Sequence, residues 1–236
     1  MAQIGLHTLI SLKIRKYLPK QNYFFTFFLI GSILPDADII VAGILSFFTT
    51  IEYSITFAHR TFSHSIITTI FLYLCLITLS EFKGNKNIRV IANGIALGII
   101  SHILIDLLFW FEGIKLFWPL PISEVNIWKH LPFQIPEFFH NLMLLLEFIF
   151  FRLLAYQLIQ FLINNPLNQS YYLKPLTLWM KSESYFFITF FISMLINYYD
   201  STILNDNELI IIFGALYIPS LIMSITSIYV LRDSIK

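Results

Sequence analysis

Cysteine is nearly missing from this chain. Cys75 is the only one in 236 residues, and it lies inside an apolar run, which excludes an intrachain disulfide and argues against a thiolate metal cluster or thiol catalysis. Charge is scarce as well. Asp, Glu, Lys and Arg make up 12% of the residues, about half the share found in soluble domains. The net charge of +1 provides no basic surface for nucleic acid, and no glycine-rich phosphate loop is present. No internal repeat or Gly/Ser linker divides the chain, so a single membrane-embedded domain over residues 1–236 is expected.

What fills the sequence instead is apolar surface: 57% of residues are hydrophobic, 25 are Phe, and the mean hydropathy is +0.75. A spanning helix needs about 20 apolar residues. Windows that meet or approach this lie at 23–50, 66–81, 90–111, 138–164, 185–199 and 209–231. The expected fold class is all-α, a multi-pass transmembrane helical bundle of about six spans plus a short N-terminal helix. Lys13, Arg15, Lys16 and Lys20 follow the first apolar stretch instead of preceding it, so a cleaved signal is not expected. The abundance of Ile, Phe, Asn and Lys suggests a bacterial source and hence the inner membrane.

Basic residues gather at 13–20, 83–89, 174–181 and 232–236. The positive-inside rule puts these on the cytoplasmic side and the loops 51–65, 112–137 and 200–208 outside. At 1.5 Å per helical residue, Asp36 lies about 21 Å above Asn22 and His102 about 20 Å above Arg89. Both reach a similar depth, toward the outer leaflet.

Intramembrane acids and imidazoles are costly, about 2.5–3.5 kcal/mol each on insertion scales, and by default mark function. Asp36 and Asp38 sit in "GSILPDADII", where Pro35 is expected to break the helix. Asp36 could simply cap the second piece, but capping satisfies only one acid. "AHRTFSHS" contributes His59, Arg60, Ser63 and His64. In "ISHILIDLL" the spacing of four stacks His102 and Asp106 on one helical face, as a bracing pair or as two metal ligands. His7 lies in "IGLHTLI". Three carboxylates and several imidazoles at one depth are hard to satisfy pairwise, whereas one or two divalent cations neutralise the acids and take the imidazole lone pairs. The candidate metal ligands are therefore His7, Asp36, Asp38, His59, His64, His102 and Asp106, and zinc is the expected ion.

These stretches, "GLH", "GSILPDAD", "HRTFSHS", "GIISHILIDLL" and the following "FWP" at 117–119, resemble the membrane-bound metal-dependent hydrolases of the YdjM type. The likeness covers roughly residues 1–120, the metal-site half, and leaves 121–236 as additional transmembrane helices. That family looks distantly similar to the zinc phospholipase C and P1 nuclease group, which holds metal with a His-x-x-x-Asp pair like His102 and Asp106. The similarity implies a phosphoesterase. The His-x-x-x-Glu pair of the soluble enzymes has no clear counterpart, since His140 and Glu147 are seven apart; those two could be distant ligands or could brace the bundle with Arg152.

The expected function is a metal-dependent hydrolase acting on a phosphate ester or a lipid-like amphiphile. Arg60 would bind phosphate or steady transition-state charge, and whichever of Asp36 and Asp38 is not a ligand would serve as general base. A metal-ion transporter and a non-catalytic protein stapled by its metal are the alternatives. In segment 112–137, Trp118 and Trp128, with Trp110 just before it, form an aromatic belt or a substrate rim. The expected partners are the bilayer and an amphiphilic substrate.

Overall fold

The computed structural model of the chain describes residues 3–58, 60–111, 113–130, 137–164 and 169–230, and these are all-α apart from one isolated bridge between Ile114 and Val125. The chain divides into two compact units, Ile10–Ile135 and Gln3–Leu9 with Pro136–Lys236, the division falling within helix α1 (Ile4–Ile14).

The first unit is built on α2 (Phe24–Ile33) packed against α6 (Lys86–Phe109). Glycines set how closely they approach. A Cβ on Gly98 would stand 2.3 Å from the carbonyl oxygen of Phe28, one on Gly31 2.3 Å from that of Ile95, and one on Gly94 2.7 Å from that of Phe24. Residues 94–98 read Gly-Ile-Ala-Leu-Gly, the small-xxx-small spacing that lets membrane helices pack backbone to backbone. Phe28, Leu29, Ile33, Ala92, Ile99 and Ile103 close around this seam.

The break expected at Pro35 is present but gentle. α2 passes through a 3-10 turn (Leu34–Ala37) into α3 (Asp38–Leu45), and the three pieces together form one apolar stretch of 22 residues. Pro35 has no N–H to give the carbonyl three residues back, so the tighter turn leaves the Ser32 carbonyl open to another donor. α4 (Ile51–Ala58) leads to a second 3-10 turn (Phe62–His64), and Ser65 then caps α5 (Ile66–Lys83), accepting from the backbone of Ile67 at 3.1 Å and Thr68 at 3.4 Å. The connection after α6 folds back on this turn, Ile66 N–H donating to Leu116 and Lys115 N–H to Arg60.

In the second unit α7 (Glu137–Asn164), α8 (Gln169–Tyr199) and α9 (Asp206–Val230) share an aromatic core of Phe148, Phe151, Phe190, Phe213 and Tyr217. Residues 3–9 lie on α7: Gly5 N–H donates to Glu147 at 2.8 Å and Gln3 to the Met143 carbonyl at 3.2 Å. Arg152 donates to Met180 and Ser184 of α8.

Among the described residues, five stretches are long and apolar enough to cross a membrane, Phe24–Leu45, Ile66–Lys83, Lys86–Phe109, Phe138–Asn164 and Asp206–Val230. The sixth span expected at 185–199 is not among them, because α8 is continuous from Gln169 and its polar half carries Lys174, Lys181 and Glu183. The glycine seam gives a test: Gly98→Ala should destabilise the protein by about 1–3 kcal/mol through overpacking. Gly43→Ala, where nothing lies within 4 Å of the added carbon, should leave the thermal midpoint in detergent unchanged or raise it.

Candidate metal centre

Three separate pieces of the first unit deliver their polar side chains to one buried point. Asp36 comes from the 3-10 turn after α2, His64 from the turn before α5, and His102 and Asp106 from one face of α6. His64, His102 and Asp36 are fully buried and Asp106 nearly so. Asp36 is no helix cap, since α3 begins after Ala37 without a side-chain cap.

The two Nε2 atoms of His64 and His102 face each other across 3.1 Å. His64 Nε2 is 3.6 Å from Asp36 Oδ1 and 3.4 Å from Asp106 Oδ2. His102 Nε2 is 3.5 Å and 3.7 Å from the same two atoms. The corners of a tetrahedron whose centre is a divalent ion at zinc-like bond lengths stand about 3.3–3.6 Å apart. The measured edges cluster around that range, and all four ligand atoms lie within 4.8 Å of one another.

The ring tautomers can be worked out from their partners. His102 Nδ1 is 2.8 Å from the Ser32 carbonyl, which only accepts, so Nδ1 carries the hydrogen. Ser63 Oγ spends its one hydrogen on Asp38 and lies 2.9 Å from His64 Nδ1, so that nitrogen must donate to it. Both neutral rings therefore present Nε2 lone pairs to each other, flanked by two carboxylates. Such a constellation needs a cation, either a proton or a metal. His64, outside the spanning segments, shows the demand directly: burial works against its charge, yet Asp106, Asp36 and Asp38 prevail and hold the ring up to about 10.

Asp38 is placed differently from the four. It stands behind His64, 3.6 Å from Nδ1, and accepts from Ser63 and from the Arg60 backbone N–H at 3.2 Å. A carboxylate in that position fixes the ring and raises its basicity. Arg60 is buried; its guanidinium lies 3.5 Å from Asp106 Oδ2 and 4.8 Å from the centre of the Trp110 ring. Its backbone adopts the left-handed conformation, φ 58°, held by Asp38 on the N–H and by Lys115 on the carbonyl. Trp110 is thus a buried shelf for Arg60; Trp118 is exposed and Trp128 stacks edge-on with Phe111. His7 is buried in the second unit, and His59 lies outside the described residues. Residue type alone assigns no role to Ser32 or Ser63; adjacency is their signal in the sequence, Ser63 preceding His64 and Ser32 lying one turn before Asp36.

A family model described as the YdjM inner membrane protein matches residues 2–223. The chain belongs to this family. No match was found among curated proteins or among solved structures. The YdjM match spans both units, so the helices after residue 120, where the sequence offered only hydropathy, are part of the family's chain as well. The family is one of inner membrane proteins, and among the described residues the structure of this chain has one buried His/Asp group able to hold a metal ion.

Metal analysis checks the assignment of roles. Wild type should carry close to one divalent ion per chain, and Asp36→Ala and His102→Ala should carry almost none. Asp38→Asn should keep the ion with affinity weakened roughly 10–100-fold, as expected for a residue that orients a ligand. Because the ion must expel the proton held at His64, loading near neutral pH should release protons, and affinity should fall as pH is lowered. Calorimetry in buffers of different ionisation enthalpy measures that release.

Proposed function

We propose that this YdjM-family protein is a membrane-embedded metal-dependent hydrolase that cleaves a phosphate ester of an amphiphilic molecule. One observation carries the reading: a guanidinium, buried on an aromatic shelf, lies 3.5 Å from a carboxylate of the four-ligand group. An arginine so placed recognises the paired oxygens of phosphate. In a merely structural site its role would end with balancing the charge of Asp106.

A divalent ion held by His64, His102 and Asp36 would lower the pKa of a bound water toward neutrality and polarise a phosphoryl oxygen. Zinc fits the nitrogen and oxygen donor set. Asp106 is the ligand that can yield its place. It is slightly more exposed than the other three and already shares its charge with Arg60, so it can leave the fourth position to water and take up the proton the water loses. This differs from the assignment of the base to Asp36 or Asp38, because Asp36 lies inside the ligand group and Asp38 behind His64. Arg60 would hold two phosphate oxygens beside that position. Asp38 and Ser63 keep the His64 ring in the tautomer that presents Nε2. The pairing of His102 with Asp106 resembles the His-x-x-x-Asp pair of the zinc phospholipase C group and supports a phosphate ester over a carboxylic ester. On the distribution of basic residues, we place the centre toward the outer leaflet of a bacterial inner membrane.

A second reading has an observation of its own. Four protein ligands close a tetrahedral site, which is the habit of structural zinc, and here they would tie α6 to the turns at Leu34–Ala37 and Phe62–His64.

Turnover of bis-p-nitrophenyl phosphate and of alkyl phosphates by the metal-loaded protein separates the two. Hydrolysis should vanish with chelator and in His102→Ala. In Arg60→Gln it should drop roughly 100–1,000-fold, the cost of removing one charge-stabilising donor, with bound metal unchanged. A folded, metal-loaded wild type inert toward the whole panel would establish the stapling role instead.

A further inference from the structure

A cleft of about 300 Å³ lies in the first unit, lined by residues next to the ligands in sequence. Leu34, Val41, Phe62, Leu72 and Ile99 form its walls, while Asp38 and Ser63 are among its few polar contributors. Its lining comes from the same segments as the ligands. Pro35 precedes Asp36, Ser63 precedes His64, and Ile99 lies one turn before His102 on α6. Leu34, Val41 and Phe62 are about 40% exposed, on and beside helices that are apolar enough to span a membrane.

We propose that this cleft receives one alkyl chain of the substrate, so that the molecule enters sideways from the bilayer with its tail between α3 and α5 and its phosphate headgroup toward His64, His102 and Arg60. The headgroup's identity rests on the hydrolase reading; the chain's seat rests on the cleft alone. Size and chemistry choose a chain over other occupants. The lining is mostly apolar, with Thr68 and Thr69 on the α5 side and a polar end at Asp38 and Ser63, whose neighbours in sequence carry the ligands. At about 30 Å³ per water-sized group the space matches roughly ten such groups, the bulk of a single chain and not the body of a two-chain lipid. An anionic headgroup could not rest at the cleft's own polar end, where Asp38 repels it, and is directed past Asp38 to the cations.

Photolabelling tests this without relying on turnover. Metal-loaded protein in phosphatidylcholine nanodiscs is irradiated with a decyl phosphate carrying a diazirine near the chain end, and the labelled residues are mapped by mass spectrometry. Label should concentrate on Leu34, Val41, Phe62 and Leu72. Excess unlabelled decyl phosphate should displace it, and inorganic phosphate should not. Leu72→Trp should lower the labelling about 10-fold with the bound metal unchanged. In wild type the competition should strengthen from butyl to decyl phosphate and level off beyond, which tests the cleft even where the tryptophan variant fails to fold. Label spread along the exposed α5 residues Phe71, Leu74 and Phe82, indifferent to competitor, would mean ordinary surrounding lipid and would overturn the proposal. Localised, displaceable label with no hydrolysis would uphold the cleft and remove the hydrolase reading; hydrolysis indifferent to chain length with diffuse label would do the reverse.

Discussion

Two imidazole nitrogens 3.1 Å apart, each with its lone pair turned toward the other, are the contact around which the first unit is organised. Lone pairs do not approach so closely without positive charge between them. The wider electrostatics make the same demand. Asp36, Asp38 and Asp106 are all buried, and Arg60 is the cation set against Asp106. Three carboxylates and one guanidinium leave two negative charges, and one divalent ion brings the sum to zero. A single proton on the imidazoles would leave a net charge in a low-dielectric interior, where uncompensated charge costs several kcal/mol.

The scaffold meets that demand through backbone features. Gly31, Gly94 and Gly98 let α2 and α6 touch main chain to main chain, which brings the Ser32 carbonyl within 2.8 Å of His102. Pro35 withholds the donor that a 3-10 turn would have sent to that carbonyl. One helix seam thus fixes the tautomer of one ligand. The other ligand ring is fixed from the opposite side by the chain of Ser63 and Asp38, and Asp38 in turn steadies the left-handed backbone of Arg60. Helix packing, ring orientation and the placing of the guanidinium are therefore consequences of a few connected contacts.

On the proposed reading, there is a reason to build such chemistry inside a membrane. The segments that carry Asp36, His64 and His102 also carry the apolar residues that line the cleft. A water-soluble substrate gains nothing from such a seat, whereas an amphiphile can leave its tail in hydrocarbon while its phosphate reaches the cations. Binding energy from the tail is then available for holding the headgroup in position.

Much of this was legible in the sequence. Scarce charge and long apolar runs imply spanning helices, acids and imidazoles inside such runs imply a paired or metal-bound site, and the spacing of His102 and Asp106 puts them on one helical face. These follow from the cost of burying charge and from helical periodicity, both local properties. The number of spans was harder to read, because α8 runs its polar and apolar halves together without interruption. The division of labour among the carboxylates was beyond sequence altogether. Asp36 and Asp38 are two residues apart in the same turn, yet one lies in the ligand group and the other behind a ligand ring, and this depends on which side of His64 each faces. The partners of Arg60 likewise come from α6 and the residue that follows it, far along the chain. Residue type and spacing pointed to a buried group able to hold a cation; only the folding of α2, α6 and the two turns onto one another decided its members, because its geometry is set by contacts between segments that sequence order keeps apart.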